Sequence, residues 1–226
     1  MNWFIVIGIV AVILGMYLLY LYFQNYTTVA ANMVNLNNAN SSVSITNNPN
    51  SYQYTVGAWV YVNSWNNNQV KPILAIPNQF NLYLDATTPT LYFDISQNCA
   101  VGGAQASPPM IVTDNFPLQR WTYVTVVVDN YFVDMYIDGK LLQSMKLNCM
   151  QSIPSTTSAA IYLGGSPTVI NDIMVTKVYR WSYVLAPQDV WKSYVVGNGV
   201  STSFSSYGMA VDIMKNNQVQ NQIRIF

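Results

Sequence analysis

The chain has 226 residues, of which 51% are hydrophobic and 14% aromatic but only 8% charged, with nine basic and nine acidic side chains and a net charge of zero. Average soluble domains carry about 25% charged residues, and a deficit of this size beside so many aromatics excludes a disordered, collagen-like or coiled-coil chain. Balanced charge without a cluster of Lys and Arg also excludes nucleic acid as a partner, because such binding rests on displacing counterions from phosphates.

The sequence holds no His, and all nine of its acidic residues are Asp. Without imidazole or Glu the common nucleophile–base sets and the usual zinc, copper and iron sites cannot be assembled. The chain therefore reads as a non-enzyme. Asn, Gln, Ser, Thr and Tyr stand where charges usually stand, and a surface solvated in this way repels neighbours weakly. That suits work in contact with proteins, a membrane or sugars, although AT-rich coding bias produces the same composition.

Residues 3–23 read WFIVIGIVAVILGMYLLYLYF, without a charge. As a helix this run is ~31 Å long, the thickness of a bilayer core. Residues 1–24 are thus expected to be a single transmembrane anchor. Trp3 stands at one end and Tyr20, Tyr22 and Phe23 at the other, where amphipathic rings favour the headgroup zone. Gly8, Ala11 and Gly15 form a stripe of small residues on which another helix could pack. The rival reading is a cleaved signal peptide, but its apolar stretch is about 7–15 residues behind a basic leader, whereas here the run is longer and only Met1 and Asn2 precede it. The first Lys is Lys71, so loop charge does not set an orientation.

Residues 25–50 are polar and uncharged and read as a stalk. They contain the sequons Asn25-Tyr26-Thr27 and Asn40-Ser41-Ser42, which a chain this rich in Asn and Ser produces nearly by chance. From 51 to 199 the pattern becomes short β-branched and aromatic runs divided by Gly, Pro, Asn and Asp, about nine strands in all. In TYVTVVVD, Thr122, Val124, Val126 and Val128 share one face while Tyr123, Thr125 and Val127 share the other, as in a strand buried on both sides. Asp138-Gly139 predicts a type I′ hairpin. A short helix is expected at LAPQDVWKSYVVGN, with Pro187 first, Asp189 in the first turn and Gly197 at the end. Val190, Trp191, Tyr194 and Val195 should form its apolar face. Residues 200–226 read as a β-hairpin extension around Lys215, Asn216 and Asn217.

The order of these pieces resembles the laminin-G-like branch of the concanavalin A-like lectin and glucanase superfamily. Trp121 stands where that pattern opens a core strand, Tyr136, Asp138, Gly139 and Lys140 where it has its hairpin, and Gly164 and Gly165 where a strand closes. Tyr179 and Leu185 then lead into the turn and short helix. Ala186 replaces the usual capping Ser, Val190 replaces Ile, and no Glu lies between them. The resemblance covers 51–199 and implies an all-β, antiparallel jelly-roll sandwich with one short helix, preceded here by the transmembrane segment. It speaks for architecture rather than activity.

The enzymatic branch uses two carboxylates at the spacing a retaining glycosidase needs. Only Asp134 and Asp138 come near that spacing; the turn explains Asp138, and an exposed strand face explains Asp134, so no catalytic residue is assigned. Sugar-binding branches hold Ca²⁺ through clustered oxygens. Asp85, Asp94, Asp114, Asp129 and Asp172 lie near strand ends without forming a dense loop, so no cofactor or metal site is assigned and Ca²⁺ is left unsupported. The loop Trp65, Asn66, Asn67 and Asn68 is the candidate glycan contact, with a ring folded on the core edge as the alternative. Cys99 and Cys149 follow strands in similar loops, and in an exported domain they are expected to form a disulfide.

An apolar helix, a polar spacer and a nearly uncharged laminin-G-like sandwich resemble the membrane-anchored virion proteins of nucleocytoplasmic large DNA viruses. The resemblance implies a minor capsid protein with the lipid membrane and capsid proteins as partners, located at the inner virion membrane. A cell-surface lectin or adhesion module on a host membrane, binding glycans or protein, is the alternative.

Overall fold

The computed structural model describes residues 3–22, 26–37, 42–65, 69–99, 105–153, 159–164 and 172–198, and the backbone of 210–215 and 218–224. Two helices are present among these, α1 (Trp3–Tyr22) and α2 (Pro187–Val195). The first strands are β1 (Tyr26–Ala30), β2 (Val34–Asn35), β3 (Ser42–Ile45), β4 (Gln53–Val62), β5 (Lys71–Ile76) and β6 (Phe80–Leu84). Next along the chain are β7 (Leu91–Ile95), β8 (Gln97–Asn98), β9 (Met110–Thr113), β10 (Thr122–Asp129), β11 (Phe132–Ile137) and β12 (Lys140–Lys146). Then come β13 (Met150–Gln151), β14 (Ala159–Leu163), β15 (Ile173–Trp181), β16 (Ala210–Lys215) and β17 (Gln218–Arg224).

Side chains alternate across a strand, and here the alternation builds two facing sheets. The larger runs β1-β15-β4-β10-β11-β12 with β2 also on β15, and the smaller runs β3-β14-β5-β6-β7-β9. Tyr54, Val56, Ala58, Val60 and Val62 of β4, with Val124, Val126 and Val128 of β10, point into the core. There they meet Ile73, Ile76, Leu82, Leu84, Leu91, Phe93 and Ile161 of the smaller sheet. Each fully buried Val, Leu, Ile or Phe among them contributes about 1.5–3 kcal/mol. The all-β antiparallel sandwich expected from the sequence is the fold observed.

Three expectations change. Residues 25–50 are not a stalk alone: β1 and β2 pair with β15, β3 pairs with β14, and Val29, Ala30, Leu36 and Ile45 are buried. Edge strands are held by the backbone ladder and need few apolar residues, so a polar composition conceals them. Asn25 and Asn40 of the two sequons lie outside the described residues. Over 51–199 the nine expected strands become twelve among the described residues, because the added β8, β9 and β13 are only two to four residues long and carry little hydrophobic signal. In α2 the apolar face is narrower than 190, 191, 194 and 195: Val190 is fully buried and Val195 is 63% exposed. Trp191, 44% exposed, packs over Gly139 of the β11–β12 turn, and Tyr194 stacks on Trp59, so the helix meets the sheet through 190, 191 and 194.

The local signals behave as read. Asp138 and Gly139 both have positive φ, +50° and +75°, as a type I′ turn requires. The Asp138 carboxylate also accepts the Tyr123 N–H at 2.9 Å and pairs with Arg120, tying the turn to β10. Pro187 starts α2, and Gly197 (φ +76°) ends it by donating its N–H to the Tyr194 carbonyl. Residues 122–128 are all buried, the inner face by the smaller sheet and the outer in part by α2. β16 and β17 pair with each other in a separate two-stranded sheet.

α1 is twenty residues long. Among the described residues no helix is long and apolar enough to cross a membrane, and within α1 the continuous stretch of described side chains is 7–18. Over that stretch every side chain but Gly15 is exposed, and nothing lies within 4 Å of the Cβ positions of Gly8 and Gly15. The side chains of Tyr20 and Tyr22, and all of Phe23, lie outside the described residues.

Candidate functional site

The outer face of the larger sheet is aromatic. Trp59 and Tyr61 stand on β4, Tyr123 on β10 with Trp121 just before it, and Tyr179 and Trp181 on β15. Register brings them together, because Tyr123 lies opposite Trp59 across β10–β4, and Tyr179 lies opposite Gly57 across β15–β4. Trp59 packs on Tyr123 at 5.1 Å between ring centres, and Tyr194 of α2 stacks on Trp59 at 5.6 Å. Tyr179 and Trp181 meet at 5.9 Å, and Tyr61 and Trp121 at 5.4 Å. Gly57 makes this possible: a Cβ there would lie 2.6 Å from the Tyr123 hydroxyl oxygen.

β15 has an irregular register between Thr176 and Tyr179, where Lys177 adopts φ +47°. Such a bulge re-aims a side chain, and here the Lys177 ammonium donates to the Gly197 carbonyl at 2.9 Å, beyond the C-terminal end of α2. Between the helix end and the sheet lies a cleft of about 140 Å³, lined by Trp59, Tyr123, Lys177, Tyr179, Trp181, Ser193 and Val196. Drug-sized sites occupy about 300–1,000 Å³, so this one admits a single ring or one side chain. Burial pushes the Tyr123 phenol above its ordinary pKa, with the Thr125 and Ser193 hydroxyls acting the other way. Near neutral pH it is an uncharged hydroxyl. Among the described residues the cleft thus offers flat apolar rings with a few hydrogen-bonding groups and one cation, and none of those that line it is acidic.

The residues singled out in the sequence fall elsewhere. Trp65 packs against the core edge with its indole N–H buried and unpartnered, and the Lys71 ammonium sits 3.9 Å over its ring. Lys71 is itself buried and donates to the carbonyls of Gln69, Asp85 and Ala86. Burial lowers its pKa, with Asp85 opposing. One face of Trp65 is therefore occupied by a structural cation, while Asn66, Asn67 and Asn68 lie outside the described residues. Cys99 and Cys149 are joined by a disulfide, with their Cα atoms 5.1 Å apart.

Asp134 accepts a hydrogen bond from Ser144, whereas Asp138 engages Arg120 and Tyr123, so the two carboxylates serve separate contacts. Asp85 is capped by Thr87 and Thr88, Asp129 by Gln53 and Asn130, and Asp172 by Asn63 and Ser64. Among the described residues no three His, Cys, Asp or Glu side chains gather as metal ligands. The cleft residues went unread, although one signal was available: WVY, WTY and YRW each place two rings two residues apart, on one face of a strand.

A family model described as the concanavalin A-like lectin/glucanases superfamily matches residues 36–191. Comparison with curated proteins gives no match. Among solved structures, the chain is similar to the binding domain of botulinum neurotoxin DC, solved in complex with rat synaptotagmin II. That match has 16% identity and TM-score 0.51, and covers 69% of this chain and 40% of that one. It is also similar to the binding domain of Paraclostridial mosquitocidal protein 1, with 15% identity and TM-score 0.55 over 76% of this chain and 45% of that one. A Trypanosoma rangeli sialidase aligns at 16% identity and TM-score 0.50 over 67% of this chain and 24% of its own. The chain thus spans less than half the length of these neighbours, and the likeness is one of fold.

Proposed function

Since the chain belongs to the concanavalin A-like lectin/glucanase superfamily, we propose that it is a non-catalytic binding module, held on a lipid bilayer by α1, that takes one sugar ring in the aromatic cleft. The observation that carries this reading is the cleft itself, where Trp59, Tyr123, Tyr179 and Trp181 stand beside the hydrogen-bonding groups of Lys177 and Ser193. Sugar rings present C–H faces to aromatic planes and hydroxyls to polar side chains. The uncharged run 3–23, with α1 spanning ~30 Å, supports the anchor, since that length matches a bilayer core.

The test is a glycan-array screen of the full-length protein in nanodiscs, run in calcium and again in chelator. Binding should persist in chelator, because among the described residues no carboxylate lines the cleft, and Trp181→Ala should weaken it by about tenfold or more. An array without a binder, or binding untouched by Trp181→Ala, would refute the reading.

A second reading makes the protein a minor capsid protein of a large DNA virus, tying the inner virion membrane to capsid proteins. It is supported by exposed apolar groups on two edge strands that meet, Ile111 of β9 and Leu141 and Leu142 of β12, since such patches mark protein contacts. Its test is cross-linking in purified particles, with failure to find the protein there as the refuting result.

A further inference from the structure

We propose that the end of the sandwich from which β1 begins is a second membrane contact, resting on the bilayer through exposed aromatic side chains. This rests on the reading of α1 as a bilayer anchor and deepens it. Tyr22 ends α1 and Tyr26 opens β1. Four residue steps reach no further than ~14 Å even when fully extended, so the first residue of the sheet cannot lie further than that from the helix end. The headgroup zone is itself about 5–8 Å deep on each side of the hydrocarbon.

Strand register shows which part of the sandwich this is. Tyr26 pairs with Trp181, Trp181 with Thr55, Thr55 with Val127, Val127 with Asp134, and Asp134 with Ser144. Just beyond this row lie Tyr52, the Asn130-Tyr131 turn, Phe132 opposite Lys146, and Tyr183. Four rings are exposed there: Tyr52, Tyr131, Phe132 and Tyr183, the last three at 40%, 52% and 45%. Hydrogen bonds from Asn130 N–H to the Tyr52 carbonyl and from Leu147 N–H to the Tyr131 carbonyl bind the turn to its neighbours. The Asp129 carboxylate is bonded to Gln53 and Asn130, and the exposed Lys146 can lay its alkyl stem along the contact with its ammonium at the lipid phosphates. Tyr and Phe are the residues that favour the interfacial zone. The other surface meeting at Tyr26, the edge of β1 continuing into 31–33, exposes Thr28, Ala31, Asn32 and Met33, with no aromatic ring among them.

The test uses the full chain in phosphatidylcholine vesicles bearing headgroup nitroxides, with a bimane label on Tyr131→Cys or on Lys140→Cys. Cys99 and Cys149 are bonded to each other and stay unlabelled. Positions 140 and 146 end β12 ~20 Å apart, so the Lys140 probe reports the far end. Quenching at 131 should exceed that at 140 by about threefold or more, and a label on Tyr52→Cys should repeat the result. Inserting about twenty Gly and Ser residues after Asn25 frees the tether; the excess should survive, because the rings hold the contact. Equal quenching at 131 and 140, or an excess lost with the longer tether, would overturn this inference alone. Failure of the chain to float with the vesicles would overturn the anchor and this inference together.

Discussion

Gly57→Ala puts the packing of the aromatic face to a test whose sign is informative. In a strand, replacing Gly with Ala ordinarily stabilises by about 0.5–1 kcal/mol. Here the new Cβ would lie 2.6 Å from the Tyr123 hydroxyl oxygen, 3.2 Å from its Cζ and 3.1 Å from Trp181 Cζ3. The Tyr123 ring cannot swing away, being buried between Trp59 at 5.1 Å and Tyr194 at 6.4 Å. Overpacking of this kind costs about 1–3 kcal/mol, so Gly57→Ala should lose ~2 kcal/mol. Tyr123→Phe alone should lose no more than ~1 kcal/mol, since it deletes one hydroxyl. It also removes the worst clash, while the contacts at 3.2 Å to the ring Cζ and 3.1 Å to Trp181 remain, so the double variant should lose less than the two single losses added together. A coupling of ~1 kcal/mol, above the ~0.5 kcal/mol of independent sites, is expected. Urea unfolding followed by near-ultraviolet circular dichroism measures all four corners of the cycle. A Gly57→Ala protein as stable as the parent, or losses that simply add, would refute the packing argument.

The Cys99–Cys149 bond spans a sequence separation of 50, for which loop-closure entropy gives ~4 kcal/mol. Reductant should lower the urea midpoint accordingly, and alkylation of both thiols without reductant would contradict the bond. The Asp85 carboxyl is held down to about 2, first by the Thr87 N–H and then by the Thr87 hydroxyl, against an ordinary value of 3.8. A depressed folded-state pKa gives stability that is present above the unfolded value and lost as pH falls from 3.8 towards 2. Asp85→Asn keeps an acceptor oxygen but no charge, so it should flatten the acid side of a stability-versus-pH curve, and an unchanged slope would count against the cap. Arg180 is fully buried and donates to the Asn47 and Asn48 carbonyls at 2.9 Å each. Burial lowers its pKa to about 10, with Tyr54 opposing. Arg180→Met leaves those carbonyls bare while sparing the cost of a buried charge, for a net loss of ~2 kcal/mol. Amide exchange over residues 46–51 should rise, and unchanged exchange would show that Arg180 does not hold that segment.

Features that depend on neighbours along the chain were legible before folding. Alternating Val and Thr at 122–128 specify a strand buried on both faces, Asp138-Gly139 specifies a turn through its positive φ values, and Pro187 and Gly197 bound a helix. The absence of His and Glu removes whole classes of chemistry from any fold the chain could adopt. Features that depend on register between distant strands were settled by the three-dimensional arrangement. Residues 26–45 look like a polar linker until the ladders of β14 and β15 accept them as edge strands. Trp65 looks like an open sugar plate until Lys71 covers its ring. The cleft draws on β4, β10, β15 and α2, which meet because Gly57 leaves room for Tyr123 and a bulge re-aims Lys177. Aromatic pairs at 59 and 61, 121 and 123, and 179 and 181 were legible singly, but a site needs them side by side. Long-range strand pairing, which no local pattern encodes, is what put them there.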